Sequence, residues 1–379
     1  MDRLDIDKKR ALELGVRFVD SHWKSVSENE VDLSVLSAGY SSRLYVVEDR
    51  SSTCTLNPIG KFLIRFYGGK LVSENDPIKA DCCEVEETLV FYAMGLSGLG
   101  PKLYGAFDGG RVEEFIPSHM LRDVDYNERP ETMLELARKL ARFHALDLPI
   151  SKKGFHMLDI CEKYLKTRDL KQFRKLADHI GMTDISAFEE FDVSSEIQWL
   201  RTVESAVNGR IVTISGDINK NNILIRDEPD KFGERVMIID YEICSRDFRG
   251  RDIGMVFAAK QIEMNDGYWF ISSDYPDDAW RRSFVTEYLK QTKLLSYFEW
   301  DDKLDSVDHV LMEGDFFMFY CIQMVTGIFF NQGDDSFYYK MPADKAQSML
   351  NLGLRLIEVY RQRKAIFLET YGKQLDLSV

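Results

Sequence analysis

Ile214-Ser-Gly-Asp-Ile-Asn-Lys-Asn-Asn-Ile-Leu224 sets a carboxylate and three amides at the mouth of an apolar run. Asp217 precedes Asn222 by five positions, and Ile223, Leu224 and Ile225 then begin a strand-like segment. A second short apolar run, Val236-Met-Ile-Ile239, follows after Arg226-Asp-Glu-Pro-Asp-Lys-Phe-Gly-Glu-Arg235, which is rich in turn formers. So short a connection predicts an antiparallel hairpin, because parallel strands need a crossover of a dozen or more residues. The open ends of a hairpin lie side by side. Asn222 enters the first strand and Asp240 leaves the second, so an amide oxygen and a carboxylate meet there with Asp217 one loop away. Hard oxygen ligands of this kind suit Mg²⁺ sharing its shell with substrate phosphates, and a nearby Asp can take the proton of an attacking hydroxyl. Asp and Asn are also ordinary turn residues, so the spacing alone does not decide the chemistry.

Outward from this stretch the chain changes texture once. Asp7 to Ser25 has helical spacing, and Val31 to Phe66 reads as strands around polar turns. Asp81 to Leu96 is a helix stopped by Gly98-Leu-Gly-Pro101, and two strands follow, Lys102 to Phe107 and Arg111 to Ile116. After Pro117 most of the chain is helical, including Pro130 to Leu146, Ser194 to Val207 and much of Asp277 onward. The expectation is an α+β chain with a β-rich part over 1–116 carrying one helix and a larger, mainly helical part over 117–379.

Upstream of the hairpin the order of residues matters. Ala38-Gly-Tyr-Ser-Ser42 joins two strands and could lie over phosphates, Gly39 allowing close backbone approach, although a plain β-turn explains it equally. Arg65 sits inside Phe62-Leu-Ile-Arg-Phe-Tyr-Gly68, where a charge needs a partner; Glu84, Glu86 or Glu87 on the next helix can supply one.

With 379 residues, 45% hydrophobic and 30% charged, the chain has the composition of an ordinary globular protein and can bury a sizeable core. A net charge of −14 argues against a nucleic-acid binder and tolerates a cationic small substrate. The six cysteines form neither CxxC pairs nor Cys/His clusters, so no structural zinc or disulfide framework is expected. Phe316 to Phe330 is the most apolar run, but at about 15 residues it is shorter than the roughly 20 that span a bilayer, and a buried helix is expected instead. The charged N-terminus lacks a signal core, which makes the cytoplasm the expected compartment.

The ordered segments Leu99-Gly-Pro-Lys-Leu-Tyr-Gly105, Glu113-Glu-Phe-Ile-Pro-Ser118, Gly216-Asp217 through Asn222-Ile-Leu224, Ile239-Asp-Tyr-Glu242, Phe248-Arg-Gly250 and Asp252-Ile-Gly254 resemble the choline/ethanolamine kinases, within the protein-kinase-like fold. The resemblance runs from about Val35 to the C-terminal helices. It implies a bilobal fold and ATP- and Mg²⁺-dependent phosphorylation of choline, ethanolamine or a related amino alcohol for phospholipid head groups. In that pattern Ala38, Gly39, Tyr40, Ser41 and Ser42 belong to the loop over the ATP phosphates. Arg65 contacts phosphate and pairs with Glu87, the backbone of Glu114, Phe115 and Ile116 holds adenine, and Asn219 is an ATP-side contact. Asp217 is the base, and Asn222 and Asp240 hold Mg²⁺. Glu242 faces the cationic head, and Arg249 with Asp252 forms a structural pair beneath the loop.

The chain also departs from the family pattern. Ser215 stands where relatives have His, Gly216 where they have Asn, and Asn221 where they have Gly. The run Asn-His-Phe-x-Glu-Trp becomes Met255-Val-Phe-Ala-Ala-Lys260, and Trp-Gly-x-Trp becomes Thr326-Gly-Ile-Phe329. Phe329, Phe330, Tyr338 and Tyr339 are the aromatics available to rebuild a cage for a quaternary ammonium, or they are core residues. Three readings therefore stay open: the amino-alcohol kinase, a kinase of another hydroxylated amine in the manner of aminoglycoside phosphotransferases, and a nucleotide-binding pseudokinase. A homodimer is left open as the assembly.

Overall fold

The fold was obtained as a computed structural model that describes residues 6–38, 42–51, 59–67, 83–151, 157–166, 170–265, 268–321, 337–339 and 341–377. The chain divides into two compact units, one of Met1–Ser118 with Leu148–Ile150 and Arg226–Glu234, the other holding the remainder.

The first unit begins with α1 (Lys8–Leu14), whose N-cap Asp7 accepts the Arg10 N–H at 2.7 Å. The expected single helix to Ser25 is interrupted. A π-helical turn (Gly15–Val19) ends at Asp20, which is extended (φ −159°) and uses its carboxylate to cap a separate 3₁₀ turn, Ser21–Lys24. The side chain of a residue that prefers capping to helix interiors thus redirects the chain. A five-stranded sheet follows: β1 (Val31–Ala38), β2 (Ser42–Asp49), β3 (Lys61–Tyr67), β4 (Leu103–Phe107) and β5 (Gly110–Glu114). Its order is β1-β2-β3-β5-β4, every pair antiparallel. Trp23, Val47, Phe62, Ile64 and Val112 fill its core face, with Trp23 edge-on to Phe62. Between β3 and β4 runs α2 (Glu84–Ser97), closed by Gly98 at φ 67°, a left-handed turn that a side chain would strain.

β8 (Ile223–Arg226) and β9 (Val236–Ile238) form the hairpin, and β6 (Ser118–Met120) completes a three-stranded sheet with them. The pairing is antiparallel with Ile223 opposite Ile238 and Ile225 opposite Val236, as the turn-rich connection requires. A two-stranded pair joins β7 (Ile211–Ile214) to β10 (Ser245–Phe248), and another joins β11 (Ile262–Asn265) to β12 (Tyr268–Ile271). Helices make up the rest: α3 (Asp123–Glu128), α4 (Glu131–His144), α5 (Met157–Lys166), α6 (Leu170–His179), α7 (Ser186–Glu189), α8 (Val193–Val207), α9 (Arg249–Ala259), α10 (Asp278–Leu295), α11 (Val307–Phe317) and α12 (Ala343–Tyr371). On α4, Leu136, Leu140, Phe143 and His144 are buried at helical spacing, the pattern of a core-facing stripe. The apolar run from Phe316 is buried helix as far as Phe317 and a 3₁₀ turn to Cys321; its remainder lies outside the described residues. No described helix is long and apolar enough to cross a membrane.

Candidate active site

The chain leaves β7 at Ile214 and returns on β10 at Ser245, the residue directly opposite. Everything between is a loop and the β8–β9 hairpin, so this excursion is pinned at its base and free to carry polar groups. Ile218, 1% exposed, anchors the middle of the loop. Gly216 has φ 81° and sits where an added Cβ would come within 2.9 Å of the Ile243 carbonyl oxygen, so the turn into Asp217 demands glycine.

Asp252, fully buried on α9, holds the backbone just before Asp217. Its carboxylate accepts the Ser215 N–H (2.8 Å) and the Gly216 N–H (2.9 Å), and His144 Nε2 lies 3.2 Å away. His144 Nδ1 is 2.8 Å from the Tyr288 hydroxyl, and burial holds the ring below the usual histidine pKa. The expected pairing of Asp252 with Arg249 does not occur. Arg249 points instead into a cluster with Asp305 (2.7 Å) and Glu313 (2.6 Å), where two buried acids satisfy its fork. Among the described residues the buried Ser215 hydroxyl has no hydrogen-bond partner.

Asn219 organises the loop from within. Its Oδ1 accepts the Asn221 N–H (3.0 Å) and the Asn222 N–H (3.3 Å), while its Nδ2 donates to Asp217 Oδ1 (3.1 Å) and to the Asp217 carbonyl (3.3 Å). Expected as an ATP-side contact, it spends its amide on the loop itself. Asn222 Nδ2 donates to Asp217 Oδ2 (2.8 Å) and the Asp217 carbonyl (3.0 Å). Burial, and then the nearby negative charge of Asp240, push the Asp217 carboxyl up to about 6, against the pull of both asparagines. Such a group is an anion at neutral pH and a better proton acceptor than an ordinary aspartate.

The hairpin brings Asp240 to the same place. Ile239 N–H donates to the Asn222 carbonyl (2.9 Å), joining the open ends, and Glu135 on α4 accepts the Arg235 N–H (2.7 Å) and Val236 N–H (3.1 Å) to seat β9. Phe143 stacks on Tyr241, whose hydroxyl donates to the Ile238 carbonyl (2.6 Å) and closes the turn. Asp240 itself has φ 67°, a conformation costly for a non-glycine residue and concentrated at functional sites. Among the described residues its carboxylate accepts no hydrogen bond, and neither does Asn222 Oδ1. Unclaimed hard oxygens on two residues, beside a carboxylate destabilised by its neighbour's charge, fit a divalent cation. Among the described residues no three His, Cys, Asp or Glu side chains converge on one point, so such an ion would complete its shell from water or phosphate.

The first unit holds a different charge relay. The expected Arg65–Glu87 pair is replaced by a chain of four residues. Arg65 Nε donates to Glu113 (2.8 Å), Arg111 Nε donates to the same Glu113 oxygen (2.7 Å), and Arg111 Nη1 reaches Glu87 (2.7 Å). The cause is register: Arg65 lies directly opposite Arg111, and two facing cations need a carboxylate between them. Glu113 provides it; burial would raise its pKa, but the two arginines outweigh that and lower it. Arg111, fully buried against the Phe91 ring (4.3 Å), was not singled out from the sequence, where it opens an unremarkable strand. Its signal was a second charge at the register position of Arg65.

Arg65 Nη1 also donates to the buried Ser42 hydroxyl (2.7 Å). Glu114 N–H donates to the Lys102 carbonyl and its carboxylate accepts the Lys102 N–H. Lys61 lies over the Phe115 ring (4.3 Å), and the Ile116 carbonyl accepts the Ser118 hydroxyl (2.9 Å). Ala38 ends β1, whereas Gly39, Tyr40, Ser41 and Phe329 lie outside the described residues. Glu242 is partly buried in the turn after Asp240. Tyr338 is wholly buried, and Tyr339 packs on the His179 ring (5.3 Å).

Residues 33–330 match the family model described as choline/ethanolamine kinase. The chain belongs to this family. It is thereby a small-molecule kinase of α+β, protein-kinase-like fold. A human choline/ethanolamine kinase is 27% identical over 292 residues, covering 76% of this chain and 70% of that protein. A probable ethanolamine kinase of Arabidopsis thaliana is 31% identical over 207 residues, covering 55% and 52%. Among solved structures, a choline kinase from Cryptosporidium parvum superposes with a TM-score of 0.68 at 17% identity, covering 96% of this chain and 97% of its own.

Proposed function

We propose that the protein transfers the γ-phosphoryl group of ATP to the hydroxyl of choline, ethanolamine or a related amino alcohol, supplying phosphorylated head groups for phospholipid synthesis in the cytoplasm. The observation that carries this reading is Asp217, raised to about 6 and held by Asn219 and Asn222, with the unclaimed oxygens of Asn222 and Asp240 beside it. Asp217 orients the acceptor hydroxyl and takes its proton. Asn222 Oδ1 and the Asp240 carboxylate hold Mg²⁺, which when bound neutralises charge on the transferring phosphoryl group. Asn219 keeps both side chains in register, and Asp252 keeps the loop ahead of them fixed.

In the first unit the backbone of Glu114, Phe115 and Ile116 holds adenine. Supporting this, the Ile116 N–H has no hydrogen-bond partner among the described residues. Arg65 meets a phosphate and Arg111 does not, because the Arg65 side chain keeps 13% of its surface exposed against 1% for Arg111.

A panel of amino alcohols incubated with radiolabelled ATP and Mg²⁺ tests the reading. Transfer to choline or ethanolamine, lost at least 100-fold in Asp217→Ala, is expected; transfer no greater than in that variant refutes it. The buried Tyr338 and the packed Tyr339 favour a second reading that keeps the reaction and changes the acceptor to another hydroxylated amine. Strong transfer to such an amine without competition by choline distinguishes it.

A further inference from the structure

Lys220 is a lysine only 6% exposed, three residues after Asp217 and two before Asn222. A buried ammonium needs counter-charge, and this one has it. Its Nζ donates to Asp123 Oδ1 (2.8 Å), at the start of α3, and lies 3.5 Å from the Ser272 hydroxyl. The same Asp123 oxygen accepts Lys260 Nζ (3.1 Å), Asp123 Oδ2 accepts the Ser272 hydroxyl (2.7 Å), and the Asp123 N–H donates to Glu263 (3.2 Å). Two lysines face two carboxylates, so the cluster has no surplus charge to project onto a substrate. Its role is mechanical.

The placement of Lys260 gives that role a direction. Lys260 caps the C-terminal end of α9, the helix that carries Asp252. Asp252 and Lys260 are about 12 Å apart along the axis at 1.5 Å per residue. Asp252 grips the backbone before Asp217, and Lys260, through Asp123, grips Lys220 after it. One helix therefore braces the loop from both sides.

We propose that Lys220 is a positioning residue for phosphoryl transfer: bridged by Asp123 to Lys260, it fixes the downstream half of the loop so that Asp217 and Asn222 hold their register. This rests on the phosphotransfer reading above. In the full chain, Lys220→Met is expected to lower kcat roughly 10- to 100-fold with the KM for ATP within about twofold, because misplacement by about 1 Å costs that much in rate. Lys220→Arg should recover most of the loss, and Lys220→Met/Asp123→Asn should be no slower than Lys220→Met, since both remove one bridge. Unchanged kcat in Lys220→Met, or Lys220→Arg as slow as Lys220→Met, overturns the proposal. Amide hydrogen exchange over 215–222 gives a readout independent of turnover, and protection there should fall in Lys220→Met. If the wild type phosphorylates no acceptor, the phosphotransfer reading fails while exchange still decides the brace. If the wild type is active and exchange in the variant is unchanged, the brace fails and the reading stands. Should Lys220→Met not fold, Lys260→Met removes only the outer cation, and the same exchange measurement supports or overturns the proposal.

Discussion

Replacing Asp217 by Asn should abolish turnover and make the protein more stable. The carboxyl stands near 6 in the folded chain against an ordinary value of 3.8, a gap worth ~3 kcal/mol. Between those two values the folded chain retains a proton at Asp217 that the unfolded chain has released. Stability therefore falls as pH rises through this window, and the full deficit is present at pH 7. Asp217 keeps some exposed surface, and solvent screening reduces the recoverable part to about 1–2 kcal/mol. The amide can be accommodated. Asn219 cannot turn over because its oxygen serves two backbone N–H groups, but Asn222 can present Oδ1 to the new NH₂ by giving up its bond to the Asp217 carbonyl, which offsets part of the gain. A domain of this size gains about 2–4 °C per kcal/mol, so Asp217→Asn should melt roughly 2–8 °C higher at pH 7 without divalent ions. The advantage should shrink toward zero near pH 4. Tryptophan fluorescence suits the assay, since Trp199, Trp269, Trp280 and Trp300 all lie in the second unit. A variant no more stable than the wild type at pH 7, or an advantage that does not change between pH 4 and pH 7, would refute the reasoning.

Arg111→Met should destabilise the first unit by ~3–5 kcal/mol in chemical denaturation, because Glu87 loses its buried cation; adding Glu87→Gln should restore part of the loss. Gly216→Ala puts a methyl at φ 81° against the Ile243 carbonyl, which should cost about 1–3 kcal/mol in thermal unfolding and lower kcat at least tenfold by shifting the Asp252-held turn. Loss of stability without loss of kcat would separate the turn from catalysis.

The parts of the fold legible in the sequence are those written in local chemistry. Gly98 after a run of helix formers, and the Pro-Asp and Phe-Gly turn formers between two apolar triplets, leave the chain few alternatives. The convergence of Asn222 and Asp240 followed from the geometry of a hairpin alone. What escaped was decided by partners distant in sequence. Arg65 offers no hint that Arg111 will lie opposite it, nor that Glu113 rather than Glu87 will answer. Arg249 and Asp252 are three residues apart on one helix, a spacing that suggests a pair, yet each is claimed by groups from other elements. The opening helix stopped short of Ser25 because the Asp20 side chain caps the following 3₁₀ turn instead of continuing the helix. Asn219 was expected to face ATP and Lys220 was not singled out at all; only the tertiary setting turns one inward on the loop and the other toward Asp123.

The carboxylate of Asp252 takes hold of Ser215 and Gly216 through their main-chain N–H groups, and every amino acid except proline supplies that donor. The grip is indifferent to side-chain identity. The hold on position 215 therefore survives any exchange there but proline, whereas position 216 stays tied to glycine by its own φ of 81° and the nearby Ile243 carbonyl. Exchange at position 215 is thus compatible with an undisturbed approach to Asp217, and the demand there falls on the aspartate of the helix behind it.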